Sequence, residues 1–177
     1  MELKIEDNFI DTTIFNTLQP ILFSPDFIWH YTEGIVKEED DDFQFVHLFY
    51  SGEHGGKPVS NYFGILQQII NKIAPISLFR IKANLRTRTT NIEESGYHMD
   101  MGFVPGVTDK KLHEKIKYWT TSIFYVNTNN GYTKFKDGTI VESVANRLIT
   151  FPGNIDHAGT TCTDQKKRIV INFNYFK

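Results

Sequence analysis

Two stretches of this chain alternate with a period of two, and each carries charge on one of its faces. In Arg80-Ile-Lys-Ala-Asn-Leu-Arg-Thr87 the residues Ile81, Ala83 and Leu85 point one way, while Arg80, Lys82, Asn84 and Arg86 point the other. In Arg168-Ile-Val-Ile-Asn-Phe-Asn-Tyr-Phe176, Arg168, Val170 and Asn172 share a face opposite Ile169, Ile171 and Phe173. Period two excludes an amphipathic helix at both places and requires strands with one apolar face packed on a core. The polar face of the first must be solvated or line a site. An arginine turned inward on the second needs an anionic partner, and its planar fork matches a carboxylate bidentately.

These two strands sit in a chain that reads as strands and loops from Pro75 onward. The runs are Leu78 to Thr87, Tyr97 to Asp100, Trp119 to Val126, Tyr132 to Phe135, Thr139 to Glu142, Arg147 to Phe151 and Arg168 to Phe176. An aromatic fraction of 14%, with 15 Phe and 8 Tyr, agrees with a β-dominated domain. Before Pro75 the pattern is mixed. A short strand is expected at Leu3 to Ile5, then a helix from Asp11 to Leu22, with Asp11 as N-cap, Ile14, Phe15 and Leu18 on one face, and Pro20 bending or ending it. Two aromatic runs follow, Phe27 to Val36 and Phe43 to Tyr50, separated by the acidic stretch Glu38 to Asp42, which reads as a solvated loop. Ser51 to Pro58 is a glycine-rich loop. A second helix begins near Ser60, with Tyr62, Leu66, Ile69, Ile70 and Ile73 on the face that packs on a sheet. At 177 residues the chain fits one domain, with 1–75 as helical and strand support and 76–177 as a jelly-roll core.

The chemistry-bearing residues are His98-Met-Asp100 and, far along the chain, His157. Residues at i and i+2 of a strand project to one face, so His98 and Asp100 can bind one ion together. A second histidine from a distant strand completes a set of two imidazoles and one carboxylate, which leaves positions open on an octahedral ion and suits non-haem iron(II). Arg168 follows His157 by eleven positions (168 − 157).

On these residues the region from about 76 to 176 resembles the iron(II)- and 2-oxoglutarate-dependent oxygenases, in particular their prolyl-hydroxylase-like branch. Ser-Ile-Phe-Tyr-Val-Asn127 is similar to the strand after the His-x-Asp loop, Asn130-Gly-Tyr-Thr-Lys-Phe135 to the glycine-led strand, and Asn-Arg-Leu-Ile-Thr-Phe151 to the strand that delivers the second histidine. Arg168 with Tyr175-Phe176 matches the spacing of the last strand. The resemblance implies a double-stranded β-helix with supporting N-terminal helices, and Fe(II) on His98, Asp100 and His157. It also implies 2-oxoglutarate as cosubstrate on Arg168 and Tyr125, O2 as co-reactant, and hydroxylation of an amino-acid or protein side chain, prolyl among them. A tyrosine often stands near the cosubstrate on the strand before the triad. Here that strand offers Asn84 and Arg86, which become candidates for the cosubstrate pocket. Lys166 and Lys167 precede Arg168 and some family members use lysine as anchor; Arg168 is preferred because it opens the clean alternation, whereas Thr163 to Lys167 reads as a turn.

Substrates of three kinds fit such a site: a peptide, a small metabolite or a nucleic-acid base. The last is disfavoured, since a second arginine usual in that branch is replaced by Asn174 and the net charge is −2 with Lys and Arg dispersed. A non-catalytic metal-binding jelly roll is a weaker alternative, and oligomeric state is not legible. No apolar run approaches the length of a bilayer span, the N-terminus is too charged for a signal peptide, and the single Cys162 cannot form an intrachain disulfide. A cytoplasmic setting without membrane contact is therefore expected. His30 and His47 read as structural, His113 as a loop residue and Cys162 as a small buried side chain. His54 is left as a candidate for substrate contact, and the loops Met101 to Tyr118 and Ser51 to Pro58 as lids.

Overall fold

A computed structural model of the chain describes residues 2–35, 42–100 and 118–177. Eleven strands among these residues form two antiparallel sheets. The larger runs β1 (Lys4–Glu6), β9 (Arg147–Pro152), β6 (Trp119–Tyr125), β11 (Lys167–Phe176), β5 (Ser77–Thr87), β3 (Phe43–Ser51) and β2 (His30–Glu33), with β4 (Lys57–Pro58) beside β3. The smaller sheet runs β10 (His157–Gly159), β7 (Tyr132–Phe135) and β8 (Ile140–Glu142).

The alternation in β5 and β11 divides the molecule into layers. Ile81, Ala83 and Leu85 of β5 and Ile169, Ile171 and Phe173 of β11 pack with Phe15, Leu18 and Leu22 of helix α1 (Thr12–Phe23) and Ile69, Ile70 and Ile73 of helix α2 (Gln67–Ile73). On the opposite face Ile123, Tyr125, Ile149 and Val170 of the larger sheet meet Phe135 and Val141 of the smaller one. Helices cover one face of the large sheet and the small sheet covers the other, which is the double-stranded β-helix, or jelly-roll, architecture. The polar halves of β5 and β11 face the small sheet.

Local chemistry explains the helix boundaries. Asp11 caps α1 by accepting from the Thr13 N–H at 2.8 Å. Pro20 lies within the last turn and α1 continues to Phe23, where Ser24 turns extended ahead of Pro25. The second helical segment starts later than the apolar spacing suggests. Ser60 opens the turn by accepting from the Tyr62 N–H, a 3-10 stretch covers Phe63–Leu66, and α-helix begins only at Gln67. Two expected strands contract. Phe27 to Val36 yields only β2 within the described residues, and Tyr97 to Asp100 is not a strand but an extended strap.

Ser51 to Pro58 folds back as a hairpin, pairing Tyr50 with Pro58 and Ser51 with Lys57, and turns through Gly55 and Gly56 at φ of 83° and 63°. Positions 36–41 and 101–117, which include most of the acidic run, His113 and all but the last residue of the other expected lid, lie outside the described residues. No described helix is long and apolar enough to cross a membrane.

Beyond the β1–β9 pairing and the Asp7–Arg147 ion pair, one side chain fixes the residues that follow β1. Asn146, at φ 62°, accepts from the Ile10 N–H at 3.0 Å and donates to the Ile10 carbonyl at 2.8 Å, while its backbone carbonyl takes the Phe9 N–H. Both side-chain bonds are buried, so Asn146→Ala leaves two buried backbone groups unpaired and puts a Cβ residue without a compensating amide in the left-handed region. A loss of about 2–5 kcal/mol in urea unfolding is expected. Asn146→Gly should recover only the backbone part, and a loss below about 0.5 kcal/mol for the alanine variant would show that Phe9 and Ile10 hold the segment by packing alone.

Candidate metal centre and anion site

His98 reaches its place through a zipper of backbone bonds. The strap from Glu93 to His98 lies against residues 157–161, with Thr161 N–H to Glu93 O at 3.0 Å, Ser95 N–H to Gly159 O at 2.9 Å, and reciprocal bonds of 3.0 Å between His98 and His157. Within the strap, the Glu94 side chain is gripped by the Tyr132 hydroxyl at 2.7 Å and the Lys134 ammonium at 3.0 Å. The bridge brings two histidines 59 residues apart (157 − 98) to ring centroids 4.6 Å from each other.

With Asp100 they form a cluster whose ligand atoms all lie within 4.8 Å of one another. Each imidazole is turned by a backbone carbonyl: His98 Nδ1 lies 3.3 Å from Gly96 O and His157 Nδ1 lies 3.1 Å from Ile155 O. With the proton on Nδ1 in both, Nε2 is free as a ligand, and that of His157 lies 3.9 Å from Asp100 Oδ2. Asp100 is held in turn. Asn174 Nδ2 donates to its Oδ2 at 3.1 Å, Arg80 Nη2 approaches its Oδ1 at 3.4 Å, and Arg80 Nε donates to Asn174 Oδ1 at 3.0 Å. Burial alone would push the Asp100 carboxyl up, but His157, Arg80 and His98 with the Asn174 amide hold it below the ordinary carboxylate range. Burial and the neighbouring His157 keep the His98 imidazole below its ordinary value. One carboxylate and two imidazoles of this spacing fit a first-row ion with bonds of about 2.0–2.2 Å.

The triad and Arg168 line one cavity between the sheets. Arg168 is 4% exposed. Its Nε donates to Ser143 Oγ at 2.8 Å, and its terminal nitrogens reach Thr160 O at 3.4 Å and Thr133 Oγ1 at 3.3 Å. All of these acceptors are neutral. Burial lowers its pKa, and among the described residues no carboxylate pairs with it. Gly131 makes room for it, since a Cβ there would come within 2.7 Å of Arg168 Cδ and 2.5 Å of Thr161 O.

The other expected residues distribute around this arginine. Tyr125 is fully buried behind the cavity wall and donates its hydroxyl to Thr133 Oγ1 at 2.8 Å, so it reaches Arg168 through that threonine, and the guanidinium also lies over its ring at 5.7 Å. Asn84 and Arg86 line the cavity. Arg86 stands directly across from Arg168 in the β5–β11 register, and its charge is matched by Asp42 at 2.7 Å, so the last residue of the acidic stretch is an ion-pair partner rather than a solvated charge. Lys167 points to the other side, over the Phe23 ring. His47 is buried and bonded to Ile28 O and Ser60 Oγ, Cys162 is buried with its thiol pushed up by burial, and His30 is exposed. His54 bonds Ser51 in the hairpin and no residue of that hairpin lines the cavity.

Sequence reasoning passed over Arg80 and Asn174, which orient Asp100, and Ser143, Thr133 and Thr160, which cradle Arg168. It also placed Lys82 and Asn172 on polar faces without giving them a task. The signal for Arg80 and Asn174 lay in the two alternations, because aligning the polar faces of β5 and β11 antiparallel sets these residues opposite each other. Lys82 lines the cavity as well, and burial, with the neighbouring Arg80, brings its pKa down to about 8.

No protein-family profile matches the sequence, nor does any curated protein. Solved structures do match in fold. A prolyl hydroxylase from Trichoplax adhaerens, in complex with a peptide of the oxygen degradation domain of hypoxia inducible factor, is 10% identical, with a TM-score of 0.62 over 98% of this chain and 83% of that one. A prolyl-4-hydroxylase from Pseudomonas putida is 14% identical, with a TM-score of 0.62 over 99% and 92%. HygX from Streptomyces hygroscopicus, with nickel and 2-oxoglutarate bound, is 10% identical, with a TM-score of 0.61 over 98% and 82%.

Proposed function

We propose that this protein is an iron(II)- and 2-oxoglutarate-dependent oxygenase that hydroxylates an amino-acid side chain, free or within a polypeptide, with prolyl residues foremost. The observation that carries the reading is the buried Arg168, bonded among the described residues only to neutral groups, in one cavity with a cluster of two histidines and an aspartate. A guanidinium withdrawn from water without an anion is costly, and a dicarboxylate that also reaches the metal position supplies the missing charge. The jelly-roll fold shared with enzymes of this kind supports the reading, and the peptide-bound state of one neighbour supports a side-chain substrate. Tyr97 and Met99, which flank His98, are 41% and 40% exposed and offer apolar surface next to the triad for a peptide to cover.

In this assignment His98, Asp100 and His157 hold iron(II), with Arg80 and Asn174 fixing the carboxylate. Arg168 holds the distal carboxylate of 2-oxoglutarate, and Ser143 and Thr133, the latter bonded to Tyr125, keep its guanidinium in plane. With iron, 2-oxoglutarate and O2 bound, the chemistry available is oxidative decarboxylation of 2-oxoglutarate to succinate coupled to hydroxylation of a C–H bond. The protein orients both partners and excludes water between the two sheets.

Anaerobic addition of iron(II) and then 2-oxoglutarate should produce a weak visible charge-transfer band that neither produces alone. In air, succinate release should rise above its uncoupled background with proline-containing peptides or free amino acids. Absence of the band would overturn the oxygenase reading. A band with stimulation only by nucleosides, methylated DNA or metabolites without an amino-acid group would keep the reaction and overturn the substrate.

A further inference from the structure

Three polar side chains between the triad and Arg168 make no hydrogen bond with any described residue. Asn84 Oδ1 and Asn172 Oδ1 are buried without a partner, and Asn172 is only 7% exposed. Lys82 makes no hydrogen bond or ion pair with a described residue, although it lines the same cavity. Buried polar atoms are almost always satisfied, so two unmatched carboxamide oxygens with a half-buried ammonium beside them form a surface awaiting a polar ligand. Either end of each carboxamide can be turned toward it.

Their order in the sheet says which part of the ligand they face. Along β5 the inward residues are Arg80, Lys82, Asn84 and Arg86, and across β11 they oppose Asn174, Asn172, Val170 and Arg168 respectively. Arg80 and Asn174 hold Asp100, so the row begins at the metal end and finishes at the Arg168 position. Lys82 and Asn172 stand one inward step, about 7 Å, from the metal end. Among the described lining residues Asp100 is the sole acid, and Arg86 is already matched by Asp42, which leaves Lys82 and Arg168 as the two cations without an anion.

We propose that Lys82, with Asn84 and Asn172 beside it, is a second anion station that holds the carboxylate at the 2-oxo acid end of the cosubstrate, so that 2-oxoglutarate is gripped by one cation at each end. The inference rests on the cosubstrate reading given above. A five-carbon diacid whose distal carboxylate lies on Arg168 and which runs toward the triad must cross this row. Its oxo-acid end then meets the Lys82 ammonium, which has three donors to give.

The test is equilibrium binding of two ligands to the iron(II)-loaded protein under anaerobic conditions, by calorimetry and by the visible band. The ligands are 2-oxoglutarate and pyruvate, which keeps the oxo-acid end and lacks the distal carboxylate, titrated into the millimolar range. Lys82→Met and Lys82→Gln should weaken both ligands by a similar factor, about 10- to 100-fold, and Lys82→Arg should restore most of the loss. Arg168→Leu should weaken 2-oxoglutarate and leave pyruvate as in the wild type. Unchanged pyruvate binding in both Lys82 variants, with or without a loss for 2-oxoglutarate, would overturn the proposal. Failure of the wild type to bind 2-oxoglutarate at all would instead overturn the functional reading on which it rests.

Discussion

Arg168→Leu is expected to lower the affinity for 2-oxoglutarate by about 30- to several-thousand-fold while metal binding stays at the wild-type level. The range follows from the loss of a desolvated, charge-assisted pair, about 2–5 kcal/mol. The split between ligand and metal follows from position, because Arg168 bonds Ser143, Thr133 and Thr160 but none of the three proposed metal ligands. The same substitution should leave the ligand-free protein as stable as before or more so, since it removes a buried charge that has no counter-ion among the described residues. Calorimetric titration of the metal-loaded variant and urea unfolding of the metal-free one check the two halves separately. Wild-type affinity in the variant would move the anchor to another cation.

Asp100→Ala is expected to reduce iron(II) affinity by more than about 100-fold. Removing partners that merely orient a ligand already costs about 10- to 100-fold, and here the ligand itself is lost. Thermal unfolding provides the readout. Metal at one hundred times its dissociation constant stabilises by about 2.7 kcal/mol, which for a chain of this size raises the midpoint by about 5–10 °C. That rise should appear in the wild type and vanish in the variant. Asn174→Ala should keep only part of it, about 0.4–1.4 kcal/mol at the same metal concentration, because the amide that orients Asp100 and braces Arg80 is lost while the carboxylate stays. An equal rise in Asp100→Ala would place the ion elsewhere.

Much of the architecture was written in the alternations of β5 and β11, since a strand with Ile81, Ala83 and Leu85 on one side can bury only that side against helices. The convergence of His98, Asp100 and His157 was legible from residue type and spacing. The way it is achieved was not, because Tyr97 to Asp100 has strand-like composition yet pairs only by isolated bridges. Such pairing depends on residues 157–161, more than fifty positions away, and no local signal reports it. The late start of α2 has a similar cause. Tyr62 and Leu66 are spaced for an α-helix, but Phe63 and Leu66, three apart, suit a 3-10 turn equally, and Ser60 settles the first turn. The pairing of Arg86 with Asp42 was hidden because charge runs in sequence resemble solvated loops whether or not one member turns inward. Tyr125 showed the limit of motif reading. Its position on β6 was clear, but its contact through Thr133 depends on where the small sheet lies over the large one.

The strand order bears on how quickly such a molecule can be assembled. Along the large sheet only β2 and β3, with β4 beside β3, are neighbours both in space and in chain order. β11 is the seam, with β5, β3 and β2 on one flank and β6, β9 and β1 on the other. Closing it requires joining segments about eighty positions apart, as in Arg168 opposite Arg86, so the loop entropy must be lost before the contacts are gained, and sheets of this kind fold on the millisecond-to-second scale. Because Arg168 and Asn174 lie on that seam, the proposed anion anchor takes its place opposite Arg86, and Asn174 its place beside Arg80, only when the two flanks meet. In the proposed reading a half-assembled chain therefore has no complete pocket, and the cosubstrate acts only on molecules that have already completed the slow step.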